Sequence, residues 1–523
     1  MSRRLSDSRT VSSSRYHQAQ GPYIRSTAAL LAVLTASAPI GGAMAPATAA
    51  EWRIQPSISA RQSFTDNVRQ APRGSETSDT FTTVTPGVSV TAEGARLNLA
   101  LDYAVSGRFY FDNSDLNDIR HNLLGSGTME VVPQLLYFDA RASISQQVVD
   151  PTGAQSAGID NNNASGSNSR SVRSYSLSPY LVNRFGGFAQ SELRYSFNQT
   201  SIGGGTGTST TNSITETLIS GDDFTRLRWL TFLEATQSKA SDVDPGVQTT
   251  TFGGPARDSS HYLALFSPEY AVNRFLILLS GIGYEKFEDE TLREEPNGVI
   301  GNVGVRVNPG PRSTFRVLAN HRYGETYFTG DASYLAGPTT RIDAAYTRDI
   351  QTTQSLYAQN LSYLGTDQYG NFIDARTLQT FRLDNSSFGS SGSAFLQERY
   401  SLRLTTEQVR DSYSVELFRE SRESGVISAT QTSTGINFGW SRPLSPLLNF
   451  GLELQYVESE FSAIQANGQS REDETFRGGP GLFYSFSESL TGSLNYDFLY
   501  RTSNTTNGDL RENIVSVGVR KLF

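Results

Sequence analysis

The chain has 523 residues, no cysteine, four histidines and a formal net charge of −8, with 18% charged residues and a mean hydropathy of −0.37. Charge falls below the roughly one quarter usual in soluble domains. Instead 46 Gly, 24 Tyr and 29 Phe stand among dense Ser, Thr and Asn, which excludes a helical bundle or coiled coil and weighs against an α/β enzyme. Zero cysteine removes disulfides, thiolate metal sites, iron–sulfur clusters and cysteine nucleophiles, and the acidic balance without a basic block weighs against a nucleic-acid partner.

The first element in chain order is the apolar run Thr27–Ile40, too short to cross a bilayer as a helix. Arg25 precedes it, and Ala47-Thr48-Ala49 offers a small-residue cleavage motif before Ala50-Glu51-Trp52, the pattern of a secretory signal peptide. The expectation is a cleaved segment 1–49 and one mature unit, 50–523, with no apolar window long enough for a membrane helix.

From there the hydrophobic pattern has period two. Leu97, Leu99, Leu101, Tyr103, Val105 and Phe109 alternate with Asn98, Asp102, Ser106 and Arg108. Leu136, Phe138, Ala140, Ala142 and Ile144 oppose Tyr137, Asp139, Arg141 and Ser143, and Leu193, Tyr195 and Phe197 oppose Glu192, Arg194 and Ser196. Near the end Leu448 to Tyr456 and Leu490 to Tyr500 repeat the alternation. Only a strand puts i, i+2 and i+4 on one side. Many of these stretches exceed the ordinary strand of about 5–6 residues and match a strand that crosses a bilayer at a tilt.

The links between them alternate short and long. Short links include Glu93-Gly94, Pro133-Gln134, Gly221-Asp222-Asp223, Asn308–Pro311, Arg348-Asp349-Ile350, Glu407–Arg410 and Pro443–Pro446; long ones include Asp150–Ser169, Ser241–Ser259, Thr366–Ser391 and Ser462–Asp473. An internal echo, Ser178-Pro179 leading to Val182–Phe185 and Ser267-Pro268 leading to Val272–Phe275, places two similar turns four strands apart. Counting gives 22 strands from Arg53–Val68 to Glu512–Phe523; Thr339–Ile350 and Thr353–Leu364 are the weakest of them, which leaves 20 compatible. A sheet in lipid must satisfy every backbone group internally and therefore close on itself. The expected fold is all-β: a single closed antiparallel transmembrane β-barrel in the outer membrane of a Gram-negative cell, with short periplasmic turns and long extracellular loops.

By strand parity the lumen receives Arg96, Arg141, Arg194, Arg316, Arg322, Arg341, Arg403 and Arg520, with Asp102, Asp139, Glu192, Asp343, Glu453 and Asp497. Opposite charges inside a barrel pair to offset burial, and an arginine ladder offers paired donors to an anionic polymer. No catalytic, cofactor or metal motif is present: His121, His261 and His321 are far apart in sequence, and no H-E-x-x-H, G-x-S-x-G or P-loop occurs. The terminal Val515-Ser516-Val517-Gly518-Val519-Arg520-Lys521-Leu522-Phe523 resembles the insertion signal, ending in Phe523, that the bacterial outer-membrane assembly machinery reads; Lys521 departs from it.

Trp52-Arg53-Ile54-Gln55-Pro56-Ser57-Ile58 followed by Phe64-Thr65-Asp66-Asn67-Val68 resembles the opening of the exosortase/PEP-CTERM-system-associated outer-membrane β-barrel family, proteins of exopolysaccharide loci. Ser178–Gly186, Phe224 to Trp229, Ser441–Pro446 and Glu512 to Phe523 extend the likeness. The resemblance implies a pore for exopolysaccharide secretion or assembly, working with outer-membrane lipid, polysaccharide and periplasmic export components, and brings no catalytic residue. The alternatives are a general or solute-specific porin, and a structural or adhesive barrel whose loops bind while the lumen stays plugged.

Overall fold

The computed structural model describes residues 50–523 apart from 149, 154, 158–167, 204–206, 242–257, 290–295, 367–371, 375–387, 389–393, 425–429 and 463–469. The expected signal peptide and much of the long links Asp150–Ser169, Ser241–Ser259 and Thr366–Ser391 lie outside the described residues.

The first strands are β1 (Glu51–Thr65), β2 (Asp79–Glu93), β3 (Leu97–Tyr110), β4 (Asp118–Val132), β5 (Leu136–Val148), β6 (Ser169–Phe185), β7 (Ala189–Ile202) and β8 (Gly207–Ser220). β9 (Leu227–Ser241), β10 (Ser259–Ala271), β11 (Leu276–Asp289), β12 (Asn297–Gly310), β13 (Ser313–Arg322), β14 (Glu325–Leu335) and β15 (Thr340–Gln351) continue the wall. A helix, α1 (Thr353–Ser362), and a small hairpin of β16 (Leu364–Thr366) and β17 (Phe372–Asp374) interrupt it. The wall resumes with β18 (Phe395–Glu407), β19 (Ser412–Ser424), β20 (Thr430–Pro443), β21 (Leu448–Phe461), β22 (Arg471–Ser487), β23 (Leu490–Ser503) and β24 (Leu510–Leu522). Each wall strand pairs antiparallel with the next, β15 pairs with β18, and β24 closes on β1 through Ser57↔Leu522 to Thr65↔Ile514. The result is one closed ring of 22 strands. The echoed turns end β6 and β10, four strands apart, as the repeat predicts.

Three local expectations fail. Thr353–Leu364 is not a wall strand: Thr352 accepts from Ser355 N at 3.0 Å and donates its backbone N–H to Ser355 Oγ at 2.8 Å, a reciprocal cap that starts α1. From Gln354 to Ser362 no β-branched residue opposes the helix. Arg348-Asp349-Ile350 is not a turn but the last part of β15, paired with Glu398, Gln397 and Leu396; the turn lies at residues 336–339, where Ala336 N donates to Thr340 O at 3.0 Å. The alternation of links is also incomplete. On the long-loop side Tyr323-Gly324 joins β13 to β14 with φ of 59° and 72°, the two left-handed residues of a type I′ hairpin. The total of 22 survives because the hairpin β13–β14 and the turn at 336–339 restore the strand that α1 removes.

Both chain ends of the ring and ten of the short links lie on one side, so the longer loops, the β13–β14 hairpin turn and α1 spring from the other. At a spacing of about 4.8 Å and a tilt of about 40°, a circular ring of this many strands has a backbone diameter of about 40 Å. Wall side chains fill an eight-stranded barrel but leave one this wide open. Whatever obstructs the interior must therefore come from loops.

Candidate functional site

Directly paired residues of an antiparallel ladder share a face, so the register separates the two sides of the wall. On β1 the outward residues Trp52, Ile54, Ile58 and Phe64 are exposed. The inward Ser63 and Thr65 are buried and bond across the seam to Ser516 Oγ and Glu512 Oε1, each at 2.9 Å. Outward Val515, Val517 and Val519 carry the apolar face to the last strand. From Trp52 to Phe64 the band is about 30 Å high at a rise of about 3.3 Å and a tilt of about 40°.

Its two edges differ. All three tryptophans (Trp52, Trp229 and Trp440) sit at the short-link end, and Trp440 Nε1 donates to Asp411 Oδ1 at 2.9 Å in the adjoining turn. Toward the long-loop end outward tyrosines bond the neighbouring strand: Tyr195 to Asn212 at 2.7 Å, Tyr496 and Tyr500 to Asn513 at 2.7 and 3.0 Å. Rings with one apolar body and one polar tip suit a boundary between hydrocarbon and water.

The inward face carries the charges. Arg194 reaches Asp139 at 3.0 Å and Glu192 at 2.9 Å and lies 3.8 Å above the Tyr180 ring, which stacks on Tyr137. Arg141 stands 4.0 Å from Asp139, and Asp139 Oδ1 and Arg141 Nε are buried without a hydrogen-bond partner. Arg316 pairs with Asp331 at 2.5 Å, Arg341 with Asp343 at 2.8 Å and Arg403 with Glu416 at 3.0 Å. The register sets Asp102, Glu453, Asp497 and Arg520 on the same face. Arg96 lies in the turn before β3, where strand parity no longer sets its direction.

Parity alone missed two inward networks. Arg322 grips Glu285 with two bonds of 2.6 Å across β12, while His261 Nε2 sits 2.8 Å from the same carboxylate and Asp349 3.3 Å from Arg322. Arg399 joins Glu416 at 3.1 Å and Glu420 at 2.6 Å, and Glu420 holds Arg422 at 2.8 Å. The spacing Glu416, Glu420, Arg422 carries the two-residue signal, but only the register shows that it faces Arg399 and Arg403. The other wall histidines are outward: His121 bonds Tyr103 at 2.7 Å, and His321 bonds Thr326 at 3.1 Å, facing away from Tyr323. Among the described residues no group of three or more metal-ligating side chains comes together.

Two segments turn into the ring. In the β5–β6 link, Ala157 packs on inward Leu499, Leu510 and Ile514 and donates to Glu512 Oε2 at 2.6 Å. Arg501 and Arg471 hold the carbonyls of Gly153 and Thr152 at 2.7 and 3.0 Å. The second segment follows β15. Tyr357 of α1 packs on inward Val172 and Ile202 of β6 and β7, and Leu361 and Leu364 pack on inward Ala100 and Leu124 of β3 and β4. Those strands stand across the ring from β15 and β18. Tyr357 lies six residue steps from Gln351, which span at most about 20 Å even when extended, so the ring is narrowed along this line. Ala100 is only the fourth residue of β3 from its short-link end, so the segment reaches deep into the barrel.

No family model and no curated protein matches the sequence, so the likeness to the exosortase-associated family rests on the short motifs alone. Among solved structures the chain is similar to the siderophore receptor PirA from Acinetobacter baumannii, with 10% identity and a TM-score of 0.49 over 92% of this chain and 81% of that one. It is similar to the apoprotein form of the FrpB iron transporter from Neisseria meningitidis, with 11% identity and a TM-score of 0.48 over 90% and 81%. PirA from Pseudomonas aeruginosa gives 12% identity and a TM-score of 0.40 over 90% and 80%.

Proposed function

We propose that this protein is an outer-membrane barrel that passes a bulky polar solute, a polysaccharide, through a lumen closed at rest by its own in-folded segments. The observation that carries the reading is α1. It crosses a polar interior, and among the described residues Tyr357, Leu361 and Leu364 pack on the far wall. An apolar band with tryptophans at its short-link edge and tyrosines at both edges supports residence in a membrane. The inward arginine–carboxylate pairs support a hydrated path, because each pair keeps donors and acceptors for hydroxyl or carboxylate groups of a passing chain. The polysaccharide assignment draws on the sequence resemblance.

In planar bilayers the purified protein is expected to show low basal conductance that rises when 353–391 is deleted. Acidic polysaccharide, but not small sugars, is expected to block the deletion form. A deletion form that conducts no better than the intact chain removes the gated-pore reading. Block by small sugars alone favours a solute-specific porin. Normal exopolysaccharide secretion by a strain lacking the gene removes the exporter. The plugged adhesive barrel is favoured by the depth of the in-folded segments, and predicts that conductance stays closed under every condition.

A further inference from the structure

On the outward face Arg419 of β19 is exposed and, among the described residues, has no ion-pair or hydrogen-bond partner. It pairs in register with Tyr400, which pairs with Tyr346, and those two rings stack at 4.2 Å between centroids. One step toward the long-loop side the same face becomes charged: Arg348 and Glu398 pair at 3.0 Å. One step toward the short-link side it is apolar, with Leu402 and Leu417 exposed. Arg419 therefore stands toward the long-loop edge of the apolar band, beside Tyr400 and Tyr346.

Beneath it runs an open groove of about 690 Å³. Gly330, Ala332 and Ala344 form its floor because they are small; Phe315 and Val317 bank one side, and Leu402 and Leu417 the other. A cation above an apolar trough, at the boundary of the hydrocarbon, complements a molecule with an anionic head and an alkyl tail. A neutral or cationic lipid leaves the guanidinium unpaired, and a soluble phosphate leaves the trough empty.

We propose that this groove binds a phosphate-bearing lipid of the outer leaflet, its acyl chain laid between Phe315 and Leu402 and its phosphate on Arg419. The proposal rests on the outer-membrane reading above. A planar guanidinium donates two hydrogen bonds to phosphate oxygens, and one basic residue at a lipid surface changes retention of an anionic headgroup about fivefold.

The test uses full-length protein in detergent and the matched pair phosphatidic acid and diacylglycerol, with retained lipid counted by native mass spectrometry. Wild type is expected to retain phosphatidic acid at least fivefold over diacylglycerol. Arg419→Gln is expected to bring that ratio close to one, and Ala344→Phe to reduce both lipids, each with an unchanged heat-modifiable gel shift. Glycerol phosphate at the same concentration is expected not to compete. Equal preference in wild type and Arg419→Gln, or full competition by glycerol phosphate, overturns the proposal while the barrel and its conductance stand. Failure of wild type to insert into any bilayer overturns the membrane reading and this site with it.

Discussion

Leu361→Ala is the sharpest probe of the proposed lumen closure. Leu361 is 1% exposed and Leu364 3%, and both meet the far wall at Ala100 and Leu124. Truncating a fully buried leucine costs about 2–5 kcal/mol. Leu361 packs with Leu364 of its own segment and with Ala100 and Leu124 of the far wall, so most of that cost falls on the docked state. At about 3 kcal/mol the ratio of docked to released segment falls by roughly two orders of magnitude, since about 1.4 kcal/mol is a factor of ten. Leu124 is only partly buried, so Leu124→Ala is expected to cost about 1 kcal/mol, the lower part of the range for core truncations. The two side chains touch, so the double variant should cost less than the sum of the singles. The assay is the open fraction in single-channel records, with the gel shift of the folded barrel as control. An open fraction of Leu361→Ala equal to that of wild type, with the barrel intact, refutes the argument that these contacts hold the lumen shut.

Other outcomes follow from the wall. Arg322→Ala leaves Glu285, whose side chain is 3% exposed, with His261 as its remaining partner at 2.8 Å; urea unfolding in vesicles should show a loss of about 3 kcal/mol, and Arg322→Lys should recover only part because it cannot bridge both oxygens. Gly324→Val forces a β-branched residue to φ 72° in the β13–β14 turn and should cost about 1–2 kcal/mol in the same assay. Phe523 is 71% exposed, so its deletion should leave the refolded barrel's stability unchanged while lowering its amount in cell envelopes; equal amounts would remove the assembly-signal reading. Glu512→Ala removes the acceptor for Ala157 N and Thr65 Oγ1 and should increase proteolysis of the β5–β6 link by a protease added to intact vesicles.

Much of this architecture was legible in the residues because a strand writes itself locally. The two-residue period of Leu97 to Phe109, or of Leu136 to Ile144, needs no distant partner to be seen, and it fixed which of Asp139, Arg141, Glu192 and Arg194 share a face. Turn chemistry is equally local, yet it misled where two signals competed. Arg348-Asp349-Ile350 looks like a polar break only until Glu398 and Gln397 supply its ladder partners from nearly fifty residues away. Thr353–Leu364 carries enough apolar residues to pass for a weak strand, and the Thr352–Ser355 cap outweighs that pattern.

The sequence by itself therefore determined strand chemistry and the polar inner face, because each depends on neighbours one, two or four positions away. Tertiary structure alone decided the rest. Closure sets β24 against β1 and brings Thr65 to Glu512, a pairing across almost the whole chain that no local pattern encodes. It also puts β3–β7 opposite β15, and only then do Ala100, Leu124, Val172 and Ile202 become the surface on which Leu361, Leu364 and Tyr357 lose contact with water. An open or closed lumen is a matter of which distant wall an apolar loop residue meets, and that is settled by the ring's geometry.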